Sequence, residues 1–479
     1  MASHGHLDDE RPAGEPYESP WALDPVPTEY KLPPEKPAWD NADEIDIDLR
    51  TPLRKRESSL WLLAVLAGLV LFATIVLWIL TRDAEPVWDN DLVADHASVP
   101  SGEARPRAAE RLRVALDATA NLGPVQGPPG LPPALWNTQA LAKEALRFKP
   151  IVDQVRDMVP ETDWSQNNPA WVEEDLGNHS AWPNLTLACM VTSIYQTRQQ
   201  QGAAAVSLGL DLLTLGQRFQ TVTVLPSYYA RAIDLHRAGC IALSTVLQGS
   251  QMSPDDLANA QQDMESCAPL DKTLQKAMGS YYRYEKELIV GALSSDKADE
   301  LVAAMMPNKP GRLFFKPQAT LGLMADSFRE LRGEVIKPSY SRSTSQLAAR
   351  VGFPGRPRAI PGHPNFSGIR HANQRLWPYV DLMESQTLAR ARHELVRTFF
   401  AIRRFMAIKG RMPASLESVV ADKLLTALPI DPFTGLPLRY NPGDQVLYSV
   451  GSDHRDDGGN GSGQHLEDDL EPALLLDGM

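Results

Sequence analysis

Three carboxylates, Asp453, Asp456 and Asp457, fall within five residues of one another, and the glycine-rich run GGNGSG follows them directly. Crowded carboxylates repel by about 1 kcal/mol per pair at 4 Å in water, and by more where water is excluded. Hard oxygen donors on a flexible glycine loop suit calcium, so calcium is the cofactor this loop predicts. A solvated acidic tail is the other reading. The EF-hand register does not fit. Asp453, Asp457 and Gly458 match its first, fifth and sixth positions, but Arg455 and Gln464 stand where an oxygen donor and a bidentate acid belong.

Other reactive side chains are placed less tellingly. His393 opens HELVR, but Arg397 occupies the position of the second histidine in a zinc-protease helix. His363, His371, His454 and His465 lie on predicted loops, as scattered surface groups or as a set that meets in space. There is no phosphate-binding glycine loop, no GxSxG elbow and no dinucleotide fingerprint. Cys189, Cys240 and Cys267 show no CxxC spacing. Cys240 and Cys267 sit on successive predicted helices that, run antiparallel, would approach disulfide distance and leave Cys189 as a free thiol. Simple burial of all three is the alternative.

The acidic loop needs a platform. Asp431-Pro432-Phe433-Thr434-Gly435 reads as a turn, with proline fixing φ and glycine tolerating positive φ. Leu436, Leu438 and Tyr440 alternate on one predicted strand, and Val446, Tyr448 and Val450 on the next. Asn441-Pro442-Gly443-Asp444 joins them as a hairpin. Two strands alone are marginal in water. A predicted helix from Leu388 to Lys409, striped with Leu388, Leu395, Phe399, Ile402 and Met406 and ending at Gly410, would cover their apolar face.

Further back, Leu60 to Leu80 carries no charge, and Trp61 and Trp78 stand near its ends. Such a run rises roughly 30 Å, the thickness of a bilayer core. Arg54, Lys55 and Arg56 precede it, whereas Arg82 is soon followed by Asp83 and Glu85. The positive-inside rule therefore predicts a signal anchor with a cytoplasmic N-terminus. The net charge of −13 over 479 residues, 43% of them hydrophobic, argues against nucleic acid as a partner.

The order helix, proline-led connection, Asp-Pro turn, small sheet and YS-x-G-x-D loop, from about 388 to 459, resembles the C-terminal half of the major pseudopilin of type II secretion systems. Gly410, Pro413, Asp431, Pro432, Gly435, Tyr440, Tyr448, Ser449, Gly451 and Asp453 carry the resemblance. It implies a calcium loop with Asp453 as a ligand, and Ser449 is a candidate co-ligand. The apolar span departs from that family: it starts at residue 60 and holds no acid, so only the module is shared. The preceding helices, with FFKPQATLGLMADSFREL, are similar to those of uncharacterised bacterial single-pass membrane proteins with the same ending, which implies no activity.

The expected chain is mainly α, in seven parts. These are a disordered, acidic, proline-rich cytoplasmic tail (1–58), a transmembrane helix (59–81), a stalk (82–136) and an irregular stacked α-helical domain (137–337). An irregular loop region (338–386), a small α+β module with a hairpin (387–460) and an acidic tail (461–479) follow. In the first tail, Trp21, Tyr30 and Trp39 are possible anchors for a cytoplasmic partner. The expected function is a noncatalytic scaffold or binding role in the bacterial inner membrane, with the lipid bilayer and envelope proteins as partners. An envelope hydrolase, with a site between the helical domain and the 338–386 loop, is the alternative.

Overall fold

The computed structural model describes residues 54–93, 107–160, 179–222, 225–269, 271–294, 315–337, 339, 363–452, 454, 456, 458 and 459. The expected disordered tail up to residue 53, the end of the acidic tail (461–479), Asp453, Asp457 and His465 lie outside the described residues. The chain divides into two units, 1–74 and 75–479.

In helix α1 (Arg54–Thr81), the stretch Leu60–Ile79 is apolar all round and long enough to cross a membrane. Its large side chains are exposed: Trp61, Leu66, Phe72 and Trp78 each show more than half their surface. Thr74 donates its hydroxyl to the Val70 carbonyl at 2.7 Å, so the polar group is satisfied within the helix.

The second unit is a stack of helices: α2 (Asn90–Val93), α3 (Arg107–Leu122), α4 (Thr138–Met158), α5 (Trp182–Arg198), α6 (Gly202–Val222), α7 (Pro226–Gly249), α8 (Pro254–Ser266), α9 (Asp271–Ser294), α10 (Pro317–Val335), α11 (Phe366–Lys409) and the short α12 (Leu416–Ala421). Their ends follow local chemistry. Ser253 accepts from the Asp256 amide at 3.1 Å and caps α8, whose first helical residue is Pro254. Gly410 ends α11 in the left-handed region, its amide bonded to the Met406 carbonyl at 2.8 Å.

The backbones of α6 and α7 approach closely. A Cβ on Gly239 would stand 2.8 Å from the Gly209 carbonyl oxygen, and one on Gly216 would stand 2.7 Å from that of Ala232. Glycine lets these two backbones meet, and α11 packs across α7 and α8. The cores follow this order. One gathers α9, α10 and the first half of α11 around Tyr282, Phe328 and Tyr379. A second joins α3 to α7 around Phe148, Trp182 and Phe219, and a third binds α6, α7 and α8 to the second half of α11 and the C-terminal module.

Two expected boundaries are corrected. The described residues of the segment 82–136 pack into the body rather than standing off it as a stalk. Asp89 is buried and accepts from the Tyr282 hydroxyl at 2.7 Å and from Lys286 Nζ, while Leu92 lies in the first core. Leu112 and Leu116 of α3 lie in the second, and Trp136 is buried against Val191 and Ile194 of α5. The segment expected to be irregular up to residue 386 is helical from Phe366, because α11 runs through Pro378 without ending. Tyr379, Val380 and Met383 bury themselves against α9 and α10, and such packing offsets the local penalty of an internal proline.

The hairpin forms at the expected turn but is shorter than the alternation predicted. β1 (Arg439–Asn441) pairs antiparallel with β2 (Val446–Tyr448), Tyr440 facing Leu447. Asn441 Oδ1 accepts from the amides of Gly443 and Asp444, the side-chain turn expected of asparagine here. Leu438 and Leu447 sink into the third core beside Phe399 and Ile402, so α11 does cover the apolar face.

Candidate functional site

The chain leaving β2 is held at Ser449 and Val450 by one buried residue of the Asp-Pro turn. Asp431 is 1% exposed. The turn closes through the Gly435 amide to the Asp431 carbonyl at 2.8 Å, with Gly435 at φ 71°. Asp431 Oδ1 accepts from the Phe433 amide at 2.9 Å and the Ser449 hydroxyl at 3.0 Å, and Oδ2 accepts from the Val450 amide at 3.1 Å. One carboxylate thus ties the Asp-Pro turn to the chain leaving β2. Bonds to a charged acceptor are stronger than neutral ones, and burial raises the penalty for losing them.

The calcium candidates are placed as follows. Ser449 is fully buried; its hydroxyl donates to Asp431 and accepts from the Gly451 amide at 3.3 Å. It is committed to the Asp431 node rather than offered to the loop. Asp456 accepts from the Tyr448 hydroxyl at 2.7 Å and the Gly458 amide at 3.2 Å, with Arg439 Nε at 3.4 Å. The Tyr448 hydrogen bond, helped by Gly458 and Arg439 and opposed by slight burial, holds its carboxyl below the usual range. Ser449 and Asp456 therefore answer to different partners. An arginine and a hydroxyl already supply part of what a cation would supply to Asp456.

Among the described residues, His363, His371 and His454 answer to separate partners. His363 accepts from the Asn365 amide at 3.0 Å, and His454 stands edge-on to Phe433. His371 is helical rather than in a loop: on α11, it contacts the buried Glu285 at 3.0 Å, and Arg375 Nε lies 3.1 Å from the same carboxylate. The three cysteines are free and buried, so the Cys240–Cys267 bridge is not formed. The Cys267 sulfur instead lies 3.2 Å from the Thr214 hydroxyl. His393, set aside for want of a histidine four residues on, is buried beside His236 and Cys240 of α7. The signal that would have found this pair is the i, i+4 spacing of His236 and Cys240, which puts both on one helix face.

Two concavities flank these residues. One, of about 290 Å³, lies between α11, the α8–α9 turn and the start of the C-terminal module, and is lined by Arg390, His393, Glu394, Arg397 and Ile430 among others. The other, of about 590 Å³, is a groove between α6 and α8 with an apolar floor of Val206 and Leu210 and an acidic rim of Asp211, Asp256 and Asp263. Burial raises the Asp211 carboxyl, against the pull of Arg156 at 3.1 Å.

No protein-family model, no curated protein and no solved structure matches this chain, so its own geometry is the ground for any functional conclusion.

Proposed function

We propose that this chain is a membrane-anchored, noncatalytic binding protein of the bacterial inner membrane, with its N-terminus in the cytoplasm and its helical body outside it. The observation that carries this reading is the joint between α1 and the body. Lys316 Nζ donates to the carbonyls of Ile79 and Arg82 at the C-terminal end of α1, where the helix dipole favours a cation. In return, Asp83 accepts from the amides of Gln318 (2.9 Å) and Ala319 (3.2 Å) at the start of α10, whose own N-cap residue offers no side-chain bond. Two helix ends, more than 230 positions apart in sequence, cap one another. A flexible tether would need no such joint. The joint fixes the chain at 79–83 to the start of α10 within the second unit.

The flank Arg54-Lys55-Arg56 supports the orientation by the positive-inside rule. The α6–α8 groove, apolar below and acidic at the rim, suits a partner segment that brings an apolar anchor flanked by lysine or arginine. The likeness of the C-terminal module to pseudopilins makes a secretion assembly the proposed setting. A reporter active only outside the cytoplasm should work when fused after Met479 and fail when fused ahead of Glu57. Photo-crosslinking residues at Asn259 and Gln251 in the groove should capture one reproducible envelope protein, and residues at exposed Leu146 should not. An inactive C-terminal fusion in membrane-bound protein overturns the orientation, and no groove-specific adduct overturns the binding role.

A further inference from the structure

The contact between α7 and α11 holds a group of side chains that helix packing alone does not explain. His236 and Cys240 lie one turn apart on α7, and His393 faces them from α11. One potential ligand atom from each lies within 4.8 Å of the other two. The two imidazole centroids are 5.3 Å apart with the rings tilted by 32°, and Cys240 Sγ is 3.8 Å from His236 Nδ1. All three residues are at most 2% exposed.

Three of their four ring nitrogens have no hydrogen-bond partner in the protein. Both ring nitrogens of His393, and Nε2 of His236, are buried without a hydrogen-bond partner. Leaving such groups unpaired costs about 1–3 kcal/mol each. A hydrophobic residue of similar size at position 393 would avoid that penalty, so the imidazole calls for a partner. We propose that His236, Cys240 and His393 are the protein ligands of a thiophilic late transition-metal ion, copper(I) or zinc(II), with the open coordination position toward the cavity that His393 lines.

The donor set matches that class. Two imidazoles and a thiolate are the ligands taken by zinc and copper, whereas calcium and magnesium want oxygen. Burial, reinforced by Arg392 and opposed by the Cys267 backbone, pushes the His236 imidazole down to about 4. Burial, with His236 and Arg397 beside it, holds His393 well below its usual value. A neutral imidazole offers one nitrogen lone pair to a metal, and both nitrogens of His393 and Nε2 of His236 are uncommitted. Burial also pushes the Cys240 thiol up to about 12, so binding must expel its proton to solvent as the metal–sulfur bond forms.

Charge discriminates between the two metals. Arg392, next to His393 in the chain, is half-buried, whereas Arg397, one turn on from His393, is ion-paired with Glu394 at 2.6 Å and with Glu265 at 3.6 Å. Zinc(II) with one thiolate leaves a net positive charge near Arg392, whereas copper(I) with one thiolate is neutral. The 290 Å³ cavity gives the route in, and it admits water or an anion as a fourth ligand should the metal be zinc.

The test uses the full chain in detergent, stripped with chelator. Zinc(II), cobalt(II) as its spectroscopic stand-in, and copper(I) under anaerobic conditions are titrated in separate arms. One equivalent should bind, with a thiolate-to-cobalt charge-transfer band in the cobalt arm. X-ray absorption of the loaded wild-type protein should show one sulfur and two imidazole scatterers. Cys240→Ser should remove the band, and Cys189→Ser should leave it. His393→Gln should weaken binding at least about 100-fold, given that even outer-shell changes cost 10- to 100-fold. Tighter binding in the copper arm supports the charge argument, and tighter zinc binding assigns the site to zinc. No stoichiometric binding in either arm, or a bound metal without a sulfur scatterer in the wild-type protein, overturns the proposal.

Discussion

Removing the Asp431 carboxylate should detach the acidic loop from its turn while the helices stay folded. In Asp431→Ala, the Phe433 and Val450 amides and the Ser449 hydroxyl all lose their acceptor. Bonds to an ionised group contribute about 1.5–3 kcal/mol each, but the three do not add, because an opened loop finds water. Each buried donor left unsatisfied costs about 1–3 kcal/mol, so with part of that recovered by water the expected loss of local stability is about 3–5 kcal/mol. At 1.4 kcal/mol per tenfold, amide hydrogen exchange at Val450 and Phe433 should accelerate about 100- to 4,000-fold. The core amides of α7, held by the third core rather than by Asp431, should be unchanged. Asp431→Asn separates local from global effects. Its remaining oxygen still serves Phe433 and Ser449, but its NH2 group confronts the Val450 amide donor to donor. Val450 alone should then exchange faster. Unchanged exchange at Val450 in both variants would refute the view that one carboxylate holds turn and loop together.

A second expectation concerns pH. Burial by itself would raise the Glu285 carboxyl, but the hydrogen bond from His371, the charge of Arg375 and the Tyr281 hydrogen bond outweigh it and hold the group below its usual range. A carboxyl depressed in the fold stabilises it above the unfolded value of about 4.3, and that stability is lost as pH falls through the folded value. Thermal melts across this acid range should show a fall that Glu285→Gln flattens while lowering stability at neutral pH; equal slopes in both proteins would sink this reading. For the loop acids Asp453, Asp456 and Asp457, millimolar calcium should raise the melting temperature of the full chain above its value in chelator or magnesium, since extracytoplasmic sites bind at about 10⁻⁴ to 10⁻³ M. At about 1 mM this is a one- to tenfold excess, which contributes about 0.4–1.4 kcal/mol, and equal melting in all three conditions leaves the acids as a solvated tail.

Local signals in the sequence were enough for the elements whose chemistry is local. A charge-free run of membrane length, a serine cap followed by proline, a glycine ending a long helix and an Asn-Pro-Gly-Asp hairpin are each settled by neighbours within a few residues. Tertiary packing decided the rest. The chain after α1 reads as a stalk because its buried residues are sparse, yet Asp89 finds Tyr282 and Lys286 nearly two hundred positions away. Pro378 marks a helix end by its own steric rule, but Tyr379 and Leu382 gain enough burial to carry α11 through it. Sequence spacing paired His393 with an absent histidine on its own helix, whereas the fold pairs it with His236 and Cys240 on another. A helix reports its own faces every three to four residues, but which faces meet depends on where two backbones can approach. Here that is decided by Gly209 against Gly239, a contact made only once α6 and α7 have packed.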